Sequence, residues 1–257
     1  MRLVQLSDTH IVPQNRQPIH RHDTLERLGG AIDAVNELKP LPDLIVFTGD
    51  QVNDELDDSY YAFKEAISDL KVQCCFSLGN HDSRTGFCKI MLETVGPNVD
   101  RYYYSLDIKG RRFLVLDTLD EGMVSGKLDD SQLDWLEKQL DIELPVTICM
   151  HHPPIPVGVP WMDKLILQDS DRFINICKSH VSPGLILCGH VHHSFQMRLN
   201  NMTVLTAPSV GMQFRKTPLI NPDGTRNIVK DAPGAFRIID FEGYDWKTEV
   251  RDIAVKS

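Results

Sequence analysis

The sequence predicts an α/β layered domain, and three observations carry that prediction. Short, nearly continuous apolar runs recur along the 257 residues; several are separated by segments of helical periodicity; and the last part of the chain switches to strands with no helices between them. The first two describe strands buried on both faces and joined by crossover helices. The third adds an antiparallel portion.

The strand-like runs are Leu3–Leu6, Leu44–Phe47, Val72–Leu78, Phe113–Leu116, Val146–Met150, Leu185–Cys188 and Val204–Thr206. Each is short and several are rich in β-branched residues, as fully buried strands are. Leu25, Leu28, Ile32, Val35 and Leu38 form an apolar stripe at spacings of three and four, which predicts a first helix. Tyr60–Leu70 predicts a second. Ser131–Leu140 predicts a third, with Leu133, Leu136 and Leu140 inward and Asp129 or Asp130 as its cap; Asp171–His180 predicts a fourth. Ala235–Phe241 and Trp246–Ile253 complete the strands. Before them Pro208–Gly234 is rich in Pro, Gly and Asn. It is too long for a plain connection and is read as a substrate cap or dimer contact. No repeat, low-complexity tract or linker divides the chain, so residues 1–257 are expected to form one domain.

Composition narrows the function classes. A hydrophobic fraction of 42% and a charged fraction of 25% are those of a globular protein. The net charge of -9 disfavours a polyanionic partner such as nucleic acid or an anionic membrane. The opening MRLVQLSDTH lacks the pattern of a signal peptide, and no run approaches the length of a membrane span. Six cysteines, most inside apolar runs and none in a CxxC pair, read as reduced core residues. A cytoplasmic protein is the expectation.

The residues just past each strand carry the chemistry. Leu3–Leu6 runs into SDTH, giving Asp8 and His10. Leu44–Phe47 runs into TGD, giving Asp50. Val72–Leu78 runs into GNHD, giving Asn80, His81 and Asp82. Val146–Met150 runs into His151 and His152, and Leu185–Cys188 into GHVHH, giving His190, His192 and His193. Five strands thus end in His, Asp or Asn at the edge where open α/β sheets bind ligands. One such cluster is ordinary turn chemistry; five are not. Oxygen and imidazole donors without cysteine suit Zn, Mn, Fe or Co. Asp8, His10, Asp50, Asn80, His151, His190 and His192 make seven candidate ligands, against about three for one catalytic zinc. Two metals sharing Asp50 as the bridge account for the number, since a carboxylate has two oxygens. Two divalent ions and two carboxylates leave the site positive, fit for a phosphate ester and a bridging hydroxide. Asn80 fills a coordination site without quenching the ion's Lewis acidity.

DTH, GDxxND, GNHD, MHHPP and GHVH in this order resemble the calcineurin-like metallophosphoesterases, through nearly all of the chain. MHHPPIPVGVPWMD, CGHVHH, TAPSVGMQF and APGAFRIID resemble, more narrowly, bacterial class III cyclic nucleotide phosphodiesterases and the related glycerophosphodiesterases. The resemblance implies a four-layer αββα sandwich of two facing mixed sheets flanked by helices. It implies one metal on Asp8, His10, Asp50 and His192 and a second on Asp50, Asn80, His151 and His190, with iron, manganese or zinc as the ions. His81 carries over as the catalytic residue that contacts the phosphate and protonates the leaving oxygen. Asn80, His81, His192 and Arg84 are the expected substrate-binding set. The implied reaction is hydrolysis of a small phosphodiester, a cyclic nucleotide such as cAMP or else a glycerophosphodiester, by a homodimer.

Other polar residues have plainer readings. His152 lines the pocket or bonds a neighbour, Asp82 caps a helix or orients His81, and His193 is exposed or supports the site. His180 suits a helix end, and His20 and His22 a surface loop. Asn53 and Asp54 fix the loop of Asp50; Asp117 and Asp120 follow a strand without being ligands. Substrate choice is expected in Ile155–Gln168 and in Pro208–Gly234, where Met212, Phe214 and Arg215 offer an apolar face and a cation. A non-catalytic cyclic-nucleotide or metal sensor would lack a ligand or His81, and neither is lacking. A nuclease is disfavoured by the acidic balance.

Overall fold

The computed structural model describes residues 1–20, 22–93, 100–179, 184–217, 227–229 and 231–254. The chain runs β1 (Arg2–Leu6), α1 (Thr24–Asn36), β2 (Leu44–Thr48), α2 (Asp57–Ile67), β3 (Cys74–Ser77), α3 (Arg84–Met91), β4 (Tyr104–Ile108) and β5 (Arg111–Val115). It continues through α4 (Asp130–Leu140), β6 (Val146–Cys149), α5 (Asp171–Ser179), β7 (Gly184–Cys188), β8 (Gln196–Leu199) and β9 (Met202–Thr206). The short β10 (Gln213–Phe214) and β11 (Ile228–Val229) come next, then β12 (Ala235–Glu242) and β13 (Asp245–Asp252).

Two mixed sheets form. The first has strand order β13-β12-β1-β2-β3 and the second β4-β5-β6-β7-β9-β8. β1, β2 and β3 are parallel, and β12 joins β1 antiparallel. β5, β6, β7 and β9 are parallel, with β4 and β8 antiparallel at the edges.

Side-chain alternation explains the layering. Leu3, Leu44 and Val46 of the first sheet meet Phe113, Val115, Leu185 and Leu187 of the second in one core. Their neighbours Val4, Leu6, Ile45 and Phe47 face the other way, onto Leu28, Ile32, Val35, Tyr60, Phe63 and Phe87 of α1 to α3. Leu114, Ile148 and Ile186 likewise face Leu133, Leu136, Phe173 and Ile176 of α4 and α5. The result is helices, sheet, sheet, helices, the sandwich that the motifs implied.

Caps fix the helix starts. Asp23 accepts from the Glu26 amide, and Asp129, one of the two expected caps, accepts from the Gln132 amide at 2.8 Å. α3, β4 and β8 have no counterpart in the strand and helix pattern of the sequence. α3 follows the GNHD turn directly and has a glycine in its first turn, which weakens its periodic signal. β4 and β8 are edge strands of half-buried and exposed residues, so their alternation is shallow. His180 and residues 218–226 and 230 of the Pro208–Gly234 segment lie outside the described residues. The six cysteines form no disulfide. Among the described residues no helix is long and apolar enough to cross a membrane.

Candidate metal centre

The C-terminal ends of β1, β2 and β3 from one sheet and of β6 and β7 from the other converge at one place. Backbone bonds lock the loops there: the Asp8 amide donates to the Gly49 carbonyl and the His10 amide to the Asp50 carbonyl, both at 3.0 Å. Gln5 ties the two sheets beneath them, its Nε2 donating to Thr48 Oγ1 at 3.1 Å and to the Cys188 carbonyl at 2.9 Å.

Five of the residues that leave these strands are left-handed: Asp8 (φ 55°), His10 (47°), Asp50 (53°), His190 (70°) and His192 (52°). A side chain in that region costs roughly 1–2 kcal/mol per residue and persists where the surroundings enforce it. The conformation turns each chain sharply at the strand end. Gly79 is required for another reason, since a Cβ there would collide with the Asp50 carboxylate.

All seven candidate ligands gather here. Asp50 is buried at the middle, with Oδ2 3.3 Å from His151 Nε2 and 3.6 Å from His10 Nε2, while Oδ1 accepts from the His81 amide at 2.8 Å. Asp8 Oδ1 lies 3.3 Å from His192 Nε2, and the Asp8 carboxylate also accepts from the His190 amide. His10 Nε2 and His192 Nε2 stand 3.2 Å apart. His190 Nδ1 is 3.0 Å from Asn80 Oδ1.

Backbone carbonyls set the tautomers. His151 Nδ1 donates to the Thr48 carbonyl at 2.7 Å, His192 Nδ1 to Met212 at 2.6 Å and His81 Nδ1 to Asn53 at 2.8 Å. A carbonyl only accepts, so each Nδ1 carries a proton and each Nε2 is the nitrogen left to face the cluster. His151 Nε2 is buried with no hydrogen-bond partner, facing a carboxylate oxygen. A buried ring nitrogen facing a buried carboxylate needs a cation between them, a proton or a metal ion. Donor triads Asp8–His10–His192 and Asp8–Asp50–His151 lie within metal-binding reach, as do His10, Asp50 and His81. Carboxylate and imidazole donors at this spacing are chemically fit to hold metal ions.

Electrostatics agree. Burial holds His10 and His190 neutral, pushing each down to about 3, so their nitrogens stay available as donors. Burial also opposes charge on His151, but Asp50 outweighs it and raises His151 to about 9. Burial raises Asp82 to about 7, helped by the charge of Asp50. Asp82 accepts from the backbone amides of Gly79 and Gln51, at 2.9 and 3.1 Å, and from the Tyr60 hydroxyl, and its charge helps to raise His81. It clasps the two loops that carry Asp50 and Asn80, while Ser83 caps α3.

His152 stands within reach of His151 and His190, yet both its nitrogens are engaged, by Thr118 Oγ1 at 2.8 Å and the Val124 carbonyl at 3.0 Å. Arg84 is placed differently from the expectation. Its guanidinium forks onto Asp117 (Nε–Oδ2 2.6 Å, Nη2–Oδ1 3.2 Å) and also reaches Glu121 and the Leu119 carbonyl. It is buried and absent from the pocket lining, because Asp117, at the end of β5, supplies the partner. The Asn53 carbonyl accepts from His81, and Asp54 pairs with Arg16. His20 is exposed, whereas His22 is buried rather than on a plain surface loop. His193 packs its ring near Phe195.

The cleft over the cluster has two kinds of wall. His10, Asp50, Asn80, His81, His190 and His192 form the polar floor, and Val124, Trp161, Met162, Leu165, Val191 and Phe214 the apolar side. Trp161, Met162 and Leu165 come from the expected Ile155–Gln168 segment. Phe214 stacks on His192 with ring centres 3.8 Å apart, and Met212 contributes its carbonyl. Arg215 is not among the lining residues; its carbonyl accepts from Trp161 Nε1 at 3.3 Å. Val124 and Val191 carried no sequence signal of their own.

Residues 1–194 match the family model described as calcineurin-like phosphoesterase. A protein of Arcobacter nitrofigilis named "Probable glycerophosphodiester phosphodiesterase GpdQ" is 34% identical over 84% of this chain and 82% of its own length. The Escherichia coli 3',5'-cyclic adenosine monophosphate phosphodiesterase CpdA is 27% identical over 84% and 78%. A 3',5'-cyclic-nucleotide phosphodiesterase of Nostoc sp. is 27% identical over 98% and 92%. In fold the chain is similar to a dimetal phosphatase from Danio rerio, at 14% identity, with TM-score 0.70 over 98% of this chain and 99% of that one.

Proposed function

This chain belongs to the calcineurin-like phosphoesterase family, and from that membership we propose that it hydrolyses a small phosphodiester, a 3',5'-cyclic nucleotide such as cAMP, at a two-metal centre. The observation that carries the reading is the setting of Asp50: one buried carboxylate within reach of His151 and His10, with a second carboxylate, Asp8, beside it. One ion would be held by Asp8, His10, Asp50 and His192 and the other by Asp50, Asn80, His151 and His190. Iron and manganese suit these donors, and zinc does too. When bound, the two ions would supply Lewis acidity to the phosphoryl oxygens and would lower the pKa of an attacking water.

The chain's own residues do the rest. The carbonyls of Thr48 and Met212 hold His151 and His192 in the tautomer whose Nε2 is a donor to metal. His81 carries a proton on Nδ1, fixed by the Asn53 carbonyl, which leaves Nε2 to hold a second proton for the leaving oxygen. Burial opposes that second proton, but Asp50 and the Asn53 carbonyl raise His81 above its ordinary value. Asn80 and His192 border the same floor and face the phosphate. Arg84 is assigned no phosphate contact, since Asp117 occupies it.

Turnover of cAMP, glycerophosphocholine and bis(p-nitrophenyl) phosphate by the manganese-loaded protein tests the reading. cAMP is expected to have the highest kcat/KM of the two biological diesters. Preference for glycerophosphocholine would support the second reading, a glycerophosphodiesterase, which the name of the 34%-identical relative favours. No turnover of any diester would leave the sensor reading. The homodimer is a separate proposal, tested by light scattering against twice the 29.2 kDa chain mass.

A further inference from the structure

His152 is fully buried, is no ligand, and has no part in the chemistry above. Its ring lies between two groups. On one side it packs against His151 and His190, with ring centres 4.7 and 4.5 Å away. On the other it holds the loop between β5 and α4: Nε2 donates to the Val124 carbonyl at 3.0 Å, and Nδ1 therefore accepts from Thr118 Oγ1 at 2.8 Å.

The loop fits that ring closely. A Cβ on Gly126 would collide with the imidazole, so only glycine lets the backbone lie against it. The Lys127 amide donates to the Thr118 carbonyl at 3.0 Å and closes the loop. The Gln168 amide donates to the Gly126 carbonyl at 2.8 Å and ties it to the segment bearing Trp161, Met162 and Leu165. Held this way, Val124 lines the cleft while remaining 50% exposed at its mouth, with Met123 54% exposed beside it. What sets this valine apart from an ordinary exposed one is that its carbonyl is held by the buried His152 while its side chain lines the cleft. Asp50, within the ligand cluster, is the one carboxylate among the described lining residues, and none of those residues is a lysine or arginine.

We propose that Val124 is a specificity-determining residue of the apolar lining it shares with Trp161 and Phe214, that this lining takes a flat uncharged ring on the ester, and that His152 is the positioning residue that sets it. This deepens the phosphodiesterase reading and rests on it. Such a wall discriminates by apolar contact, which is worth about tenfold or somewhat more per group.

The test uses the full chain loaded with manganese and two readouts. Titration calorimetry with phenylphosphonate and methylphosphonate, which have no ester bond to cleave, measures the ring preference without turnover. The kcat/KM ratio of phenyl p-nitrophenyl phosphate to methyl p-nitrophenyl phosphate measures it in catalysis. Wild type is expected to favour the phenyl compound in both by about tenfold or more. Val124→Asp should collapse both ratios, with the loss in KM rather than kcat. His152→Ala should do the same with two ions still bound, and His152→Gln, which keeps a donor for the Val124 carbonyl, should restore part of the preference. Should His152→Ala not fold, Val124→Asp and Val124→Ala still decide the matter. Unchanged ratios in the Val124 variants overturn the wall, and metal loss in a folded His152→Ala overturns the positioning role. Binding preference without hydrolysis of either ester would instead overturn the phosphodiesterase reading and leave the wall standing.

Discussion

His151 Nε2 and Asp50 Oδ2 lie 3.3 Å apart, both buried, and the Thr48 carbonyl has already taken the only proton of a neutral His151. In the metal-free protein a second proton settles between them, which is why His151 is raised to about 9 against the effect of burial. Metal uptake at pH 7 must then expel that proton. Calorimetry in buffers of different ionisation enthalpy should report close to one proton released per chain. Affinity should rise with pH from neutrality to about 9 and level off above it. Uptake with no buffer dependence would place the cation elsewhere.

Asp50 is the shared ligand, so Asp50→Ala should empty both sites, whereas His10→Ala should weaken mainly one. Metal analysis after saturation and desalting reads this directly. One ion per wild-type chain would refute the two-metal centre.

His81→Ala should lower turnover by roughly 10²–10⁴-fold, the range of an acid–base group, with metal content nearly unchanged. The loss should shrink for nitrophenolate leaving groups, which need little protonation. Equal losses for good and poor leaving groups would make His81 a positioning group.

Arg27 of α1 donates to the Gly211 carbonyl at 2.8 Å and to the Ala232 carbonyl at 2.9 Å. The next residue, Met212, holds His192 Nδ1. Arg27→Ala should therefore weaken the ion bound by His192 about tenfold or more, as loss of such a support does, and spare the other. A two-step chelator titration separates the ions.

Arg84→Ala leaves Asp117 buried without its partner and should cost about 3 kcal/mol of stability, read as a lower urea midpoint. KM for a diester should not change. A raised KM at unchanged stability would return Arg84 to the phosphate.

The layers were legible because buried parallel strands leave continuous apolar runs such as Leu44–Phe47, and the donors because five such runs end in His, Asp or Asn. Asp117 and Arg84 were not legible as a pair, since their separation of 33 positions has no sequence signature. Asp82 looked like a cap because Asp before a helix usually is one; the loop amides of Gln51 and Gly79 captured it first. Val124 was silent for the opposite reason, because an isolated valine in a polar loop is ordinary until a neighbour such as His152 is seen holding it.

The five left-handed residues at the strand ends set folding and activity against each other. Glycine relieves the strain at any of these positions while removing a donor, and asparagine relieves much of it while replacing a carboxylate or imidazole with a weaker amide oxygen. Selection for stability alone would therefore erode Asp8, His10, Asp50, His190 and His192 first, turning the chain into a sturdier scaffold without chemistry. A library of this protein sorted only for heat resistance should be enriched in glycine and asparagine at those five positions, whereas one sorted for turnover should keep all five.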